Sequence, residues 1–91
     1  MSNTFKAAGE TGWAQIIDGK DFSRFGVQLD CSMPVLLCIA TAAPAANSQD
    51  FMFLDHGGTR EIVCSIGAGD KVFIKTAAAI DVAVRGFKES R

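Results

Sequence analysis

The chain has 91 residues, which is enough for one domain and too few for a second core. Hydrophobic residues make up 48% of the chain and charged residues 21%, so the composition is that of a folded domain rather than a disordered segment. The formal net charge is −1 and no run of like charges occurs, which excludes the basic stripe that nucleic-acid binding demands.

The apolar stretches of the chain are short. The longest runs from Pro34 to Ala40, whereas a membrane-spanning helix needs about 20 apolar residues. No apolar run follows Met1, so a secretory signal is not expected. We therefore predict neither nucleic acid nor a membrane as a partner.

A domain of this size is difficult to stabilise by its core alone. It buries only about 60% of the surface of its unfolded chain, and small domains commonly add disulfides, a metal or oligomerisation. The cysteines are odd in number and form no Cys-x-x-Cys pair, so disulfides are not expected; they are Cys31, Cys38 and Cys64. Oligomerisation, or docking on a larger assembly, is the remaining way to stabilise the domain, since no metal site is predicted below.

Taken in chain order, short runs with strand character fill the sequence. Two weakly patterned runs come first, at residues 5–7 and 13–17. Two apolar runs read as strands covered on both faces, at residues 33–40 and 51–54. The remaining runs alternate apolar and polar side chains, as half-buried strands do; they are residues 25–31, 61–66, 71–76 and 80–85.

Turn residues separate these runs. Glycine-containing turns are predicted at residues 18–21, 55–58 and 67–70, and we expect Gly69 to adopt a positive φ. Residues 41–49 read as a loop broken by Pro44, and residues 76–79 read as a connection.

About eight short strands spaced in this way predict an all-β, single-domain β-sandwich with jelly-roll-like connections. Strand order cannot be read from the sequence. Residues 1–12 are expected to form an N-terminal arm or edge segment, and residues 13–91 the sandwich domain.

Metal and thiol chemistry have little support in the sequence. His56 is the single histidine, and its spacing from the three cysteines follows no zinc signature. A Cys–His catalytic pair would need Cys64 or Cys31 beside His56, but alternation directs both thiols into the core, where they would be inert. No metal site is predicted.

Other catalytic signatures are also missing. The carboxylates are scattered over turns and outward faces, which leaves a glycosidase pair open without indicating one. Residues 67–69 resemble the start of a dinucleotide fingerprint, but Val72 replaces its third glycine and no helix follows. We predict a protein that is not an enzyme and has no cofactor.

The aromatic residues comprise seven phenylalanines and one tryptophan, without tyrosine. Four phenylalanines are predicted to be in the core: Phe22, Phe25, Phe51 and Phe53. Phe5 and Trp13 lie in the weakly patterned N-terminal part, so they are the candidate assembly-interface residues, with Trp favoured at interface centres.

A distinct order of strands and loops runs from Phe22 to Phe87. It consists of the strand at residues 25–30, an apolar strand, an Ala/Pro-rich loop, residues 67–75 and a closing strand at residues 82–84. This arrangement is similar to small β-sandwich virion proteins of tailed bacteriophages, namely head-decoration or capsid-cementing proteins and accessory tail proteins.

The resemblance implies a structural protein of the virion, synthesised in the host bacterial cytoplasm. Such proteins often form homo-oligomers on the major capsid protein or another virion protein and stabilise the shell. The alternatives are a tail or fibre accessory protein, a carbohydrate- or ligand-binding β-sandwich module, and a small hydrolase.

Overall fold

The computed structural model describes residues 2–9, 12–31, 33–45, 47–55, 57–58, 60–76 and 82–91. Every regular element in these ranges is a strand: β1 (Ser2–Gly9), β2 (Ala14–Asp18), β3 (Phe22–Leu29), β4 (Val35–Ala40), β5 (Met52–Leu54), β6 (Glu61–Ser65), β7 (Lys71–Thr76) and β8 (Val82–Ser90). The predicted all-β fold of about eight short strands is confirmed. His56 and residues 77–79 lie outside the described residues.

The strands form two antiparallel sheets of four. The first sheet has the order β1-β8-β3-β6, and the second has the order β2-β7-β4-β5. Apart from the β4–β5 pair, each connection takes the chain from one sheet to the other. This interleaved order is that of an eight-stranded jelly roll, so the predicted type of sandwich is confirmed as well.

Period-two alternation builds the core between the sheets. Apolar side chains from six strands, together with Ile66 after β6, point inward and exclude water, which supplies the main stabilisation of the fold. The buried cluster comprises Ile17, Phe25, Val27, Val35, Leu37, Leu54, Ile66, Val72, Ile74, Val82 and Val84. β1, the edge strand of the first sheet, adds Phe5 and Ala7 from the side.

The two wholly apolar runs behave differently. In β4, Val35 through Cys38 are all buried, as predicted for a strand covered on both faces. In β5 only Leu54 is buried, while Met52 and Phe53 are 46% and 53% exposed. The prediction that residues 51–54 are covered on both faces is therefore wrong, because β5 is a three-residue strand at the sheet edge with β4 as its partner.

The turn at residues 67–70 holds without a left-handed residue. The Asp70 amide donates to the Gly67 carbonyl at 3.1 Å, and the Gly67 amide donates to Asp70 Oδ2 at 2.8 Å. No glycine of the described residues has a positive φ, so the prediction for Gly69 is wrong. A tight turn can be built with negative φ at both central residues, and Asp70 satisfies the backbone here instead.

Gly86, in contrast, lies where a side chain cannot fit. A Cβ built on Gly86 would overlap the carbonyl oxygen of Gly26 and would lie 2.9 Å from Val27 Cα. Both obstacles are backbone atoms of β3, so they cannot rotate away. The close approach of β8 to β3 therefore requires glycine at this position.

Arg91 closes one end of the sandwich. Its Nε donates to the Gly19 carbonyl at 2.8 Å, and its Nη2 donates to the Ile66 carbonyl at 2.5 Å. Its backbone amide donates to the Asp21 carbonyl at 2.9 Å. One residue thus ties the β2–β3 turn to the segment that follows β6.

Two glycine substitutions test these local accounts. Gly86→Ala is expected to lower the free energy of unfolding by more than about 2 kcal/mol, because β8 and β3 must separate to admit the methyl group. Gly69→Ala is the matched control, since a Cβ there meets nothing within 4 Å. We expect it to be neutral or to stabilise by up to about 1 kcal/mol, because it restricts only the unfolded chain. Urea denaturation of both variants measures the difference, and equal effects would contradict the assignment.

Candidate functional site

Three aromatic rings line the outer side of the second sheet. The Trp13 and Phe51 ring centroids lie 6.2 Å apart, and those of Phe51 and Phe53 lie 5.4 Å apart in an edge-to-face arrangement. Both separations are in the favourable range for aromatic pairs. The Lys75 ammonium lies 5.2 Å from the Trp13 centroid. We call Trp13, Phe51, Phe53 and Lys75 the aromatic face.

Strand register explains why these side chains meet. On β4 and β7, the residues that point into the core include Val35, Leu37 and Ile74. Their immediate neighbours in sequence therefore point to the opposite side of the sheet. Leu36 pairs with Phe53 on β5 and with Lys75 on β7, which places these three in one row on the outer side.

The loop between β4 and β5 is fastened to the outer side of the sheet. Trp13 Nε1 donates to the Ala45 carbonyl at 3.1 Å. Lys71 Nζ donates to the Thr41 carbonyl at 3.5 Å. The bond to Ala45 satisfies the indole N–H of Trp13 and fixes its ring beside Phe51. The aromatic face is therefore built by tertiary contacts rather than by local sequence.

Solvent reaches apolar side chains on both sides of the β4–β5 pair. Phe53 is 53% exposed on the outer side of the sheet. Met52 and Ile39 are 46% and 39% exposed, but their strand partners Leu37 and Val72 are core residues, so both lie on the core-facing side at the margin of the sheet. Leu36, Cys38 and Phe73 are buried nearby on the outer side of the sheet. An exposed aromatic ring at the end of a packed aromatic row is typical of a surface that binds another macromolecule.

The candidate interface residues of the sequence analysis, Phe5 and Trp13, lie in different parts of the molecule. Trp13 belongs to the aromatic face. Phe5 is on β1 of the first sheet, is partly buried and packs against the core. The Lys88 ammonium lies 5.2 Å from its ring and 4.6 Å from that of Phe22. The two residues therefore do not form one surface, and the role of each in assembly stays a prediction.

The predicted core phenylalanines divide by position. Phe25 is fully buried and Phe22 packs against the core cluster. Phe51 is partly buried in the aromatic face, and Phe53 is exposed, so the prediction for Phe53 is wrong. Phe53 alternates with the buried Leu54, but a run of four apolar residues does not reveal which side of the strand faces the core.

Burial changes the acidity of two of the three thiols. Burial, with the nearby negative charge of Asp50 adding to it, raises the pKa of the Cys38 thiol above its usual range. Burial alone raises the pKa of Cys64. Cys31 donates from its Sγ to the Met33 carbonyl at 3.3 Å. All three cysteines are free of disulfide bonds. Because the thiolate is the nucleophilic form, raised pKa values make Cys38 and Cys64 poor nucleophiles at neutral pH.

Neither a metal-binding cluster nor a membrane-spanning helix occurs in the described residues. Within them, no group of three or more His, Cys, Asp or Glu side chains is placed to hold a metal ion. The same ranges hold no helix with the length and apolar character needed to cross a membrane.

Comparisons of the chain with protein-family models, with curated proteins and with solved structures found no match.

The thiol account has a direct test. At neutral pH we expect Cys38 and Cys64 to react slowly with a chromogenic disulfide reagent, and the rate to increase as the pH approaches their raised pKa values. The same chain in denaturant serves as control and should react at once. A Cys64→Ser variant shows which phase of the labelling reaction belongs to Cys64. Rapid labelling of Cys64 in the native chain would contradict the burial argument.

Proposed function

We propose that this chain is a bacteriophage virion structural protein that decorates or cements the capsid shell through protein–protein contacts. The observation that carries the proposal is the half-exposed ring of Phe53, which packs edge-to-face on Phe51 in the aromatic face. The jelly roll is consistent with this role, because that architecture is used repeatedly in viral capsid proteins. The partner on the virion is the major capsid protein or another virion protein.

The mechanism is adhesive. Each 100 Å² of apolar surface removed from water contributes roughly 2.5 kcal/mol before the cost of association. Phe53 would anchor the contact, because its ring projects from an edge strand and is held by Phe51 behind it. Lys75 supplies a positive charge at the same surface. Burying this surface on the shell would hold neighbouring capsid subunits together against internal pressure.

A tail or fibre accessory protein would use the same adhesive surface, and detection of the chain in purified tails instead of heads distinguishes it. A carbohydrate- or ligand-binding module is the second candidate class, and the row of three rings is the observation that favours it. Against it, Lys75 lies over the Trp13 ring and the Trp13 indole N–H is bonded to Ala45, so the usual sugar-stacking residue is engaged within the chain.

Charge placed on the aromatic face tests the proposal. Phe53→Asp should reduce co-sedimentation with purified capsids of the encoding phage by about tenfold or more, because it puts a charge into an apolar contact. It should leave the melting temperature almost unchanged, since Phe53 is exposed. Ala8→Asp, an exposed position on β1, is the matched control and should bind as the parent does.

Three outcomes would count against the capsid role. These are absence of the chain from purified virions, normal capsid binding by Phe53→Asp, and equal losses in both variants. Binding of the parent chain to a glycan array, lost on Phe53→Asp, would favour the carbohydrate module instead.

A further inference from the structure

β6 is one of the two edge strands of the first sheet, and the hydrogen bonds at its two ends fix which of its groups face outward. The Leu29 amide donates to the Arg60 carbonyl at 2.8 Å, and the Ile66 amide donates to the Ser23 carbonyl at 2.9 Å. Backbone groups of successive residues point to alternate sides of an antiparallel strand. Even-numbered residues therefore face β3, and the N–H and C=O groups that face away from β3 belong to Glu61, Val63 and Ser65.

The other three edges carry features that discourage pairing with another chain. β5 has only three residues, and β2 is interrupted by a bulge between Gln15 and Ile17. β1 presents Lys6 on the exposed side of its middle. Short strands, bulges and lysines are the usual protection of sheet edges. β6 has none of them: it contains neither proline nor lysine, and its register with β3 is unbroken.

The geometry points to a second copy of this chain as the partner of β6, paired antiparallel about a two-fold axis at Val63. In this register Val63 faces Val63 of the second copy, and Glu61 faces Ser65 of the second copy. Every outward N–H and C=O of the three odd-numbered residues then meets a complementary group. The two first sheets become one continuous sheet of eight strands.

Apolar contacts on the outer face favour this axis. Val63 is 50% exposed. The Phe87 ring lies across Gly26 towards Val63, and a Cβ built on Gly26 would be only 2.9 Å from Val63 Cγ2. Phe87, Gly26 and Val63 therefore form one apolar row that ends at the edge. The two-fold axis at Val63 would bring this row into contact with the same row of the second copy.

Charges on the outer face favour the same register. Ser65 is paired with Arg24 on β3. Across the axis, Glu61 would lie two strands from Arg24 of the second copy, about 10 Å between Cα atoms, with only the small Ser65 between them. The Arg24 guanidinium already pairs through Nη1 with Glu89 on β8. Its remaining N–H groups can still reach the Glu61 carboxylate, because both side chains are long and point to the same face. An axis at Glu61 would instead place two carboxylates opposite each other, which is unfavourable.

The pairing deepens the proposed function, because a capsid-decorating protein of this kind is expected to be a homo-oligomer. Only its biological purpose rests on that function. Its interface lies on the first sheet, whereas the aromatic face lies on the second. Dimer formation is measured on the purified chain without capsids, so its failure is separate from a failure to bind capsids.

A disulfide reports the register. On the inner face, Ile62 would lie opposite Cys64 of the second copy in a pair without hydrogen bonds, with Cα atoms about 4.5 Å apart, which suits a disulfide. Under mild oxidation Ile62→Cys should form a covalent dimer, in which two thiols lose their protons and two electrons to the added oxidant for each disulfide. The Ile62→Cys, Cys64→Ser double variant should remain monomeric on a non-reducing gel.

Sedimentation velocity of the reduced chain over a concentration series tests the interface independently. The parent should approach twice its 9.6 kDa monomer mass with increasing concentration. Val63→Lys should weaken dimerisation by about tenfold or more, because like charges would face each other across the axis. Thr4→Lys, at the opposite end of the same cross-strand row, is the matched control and should dimerise normally.

Each contrary result overturns the proposal. A monomeric parent at all concentrations does so, as does equal dimerisation by Val63→Lys. Loss on Thr4→Lys would assign the contact to β1, and open-ended growth would indicate β1-to-β6 addition instead of a closed dimer. Should Ile62→Cys fail to fold, the sedimentation comparison decides alone, because Val63 and Thr4 are both exposed.

Discussion

The position of β8 between β1 and β3 determines how the first sheet is built. β8 forms backbone ladders on both sides, and its Val82 and Val84 are buried in the core. Gly86 allows its backbone to approach β3 closely. The ion pairs Arg24–Glu89 and Arg85–Asp30, at 3.0 and 2.7 Å, also involve β8. Such exposed pairs contribute little, about 0–1 kcal/mol each, so backbone fit and apolar burial hold the strand in place.

The two sheets use their outer surfaces differently. The second sheet carries apolar side chains on both sides, because the β4–β5 loop and the aromatic face cover Leu36, Cys38 and Phe73. The outer side of the first sheet is largely polar, with Val63 and Phe87 as its apolar row. If both proposals hold, the dimer would present two aromatic faces. Once one face has bound, the second binds at a high effective concentration, so the overall affinity exceeds that of a single small face.

Much of the fold follows from the sequence because alternation is a strong local signal. Alternation predicts the strands at residues 61–66 and 71–76 almost to the residue, because apolar side chains recur at every second position even though Val63 and Phe73 interrupt the polar side. The strand predicted at residues 80–85 extends further, as β8, to Ser90. Phe87 and Lys88 break the pattern there because one covers Gly26 and the other lies between two phenylalanine rings.

The candidate site was less predictable. The sequence indicates Trp13, but its neighbours Phe51, Phe53 and Lys75 come from other parts of the chain, and strand order decides which of them meet. Phe53 and Leu54 are both apolar, so sequence alone does not show which one faces solvent. The free groups of β6 likewise depend on its being an edge strand, which is a property of the sheet rather than of its five residues.

Arg91 makes one end of the sandwich tolerant of high salt. Its guanidinium bonds to neutral carbonyl oxygens of Gly19 and Ile66, not to carboxylates. Mobile ions screen pairs of exposed full charges such as Arg85 and Asp30, but they act much less on a partly buried bond between a cation and a peptide dipole. Concentrated salt would therefore loosen the ion pairs on the flank of β8 while the fastening between the β2–β3 turn and the end of β6 remains closed.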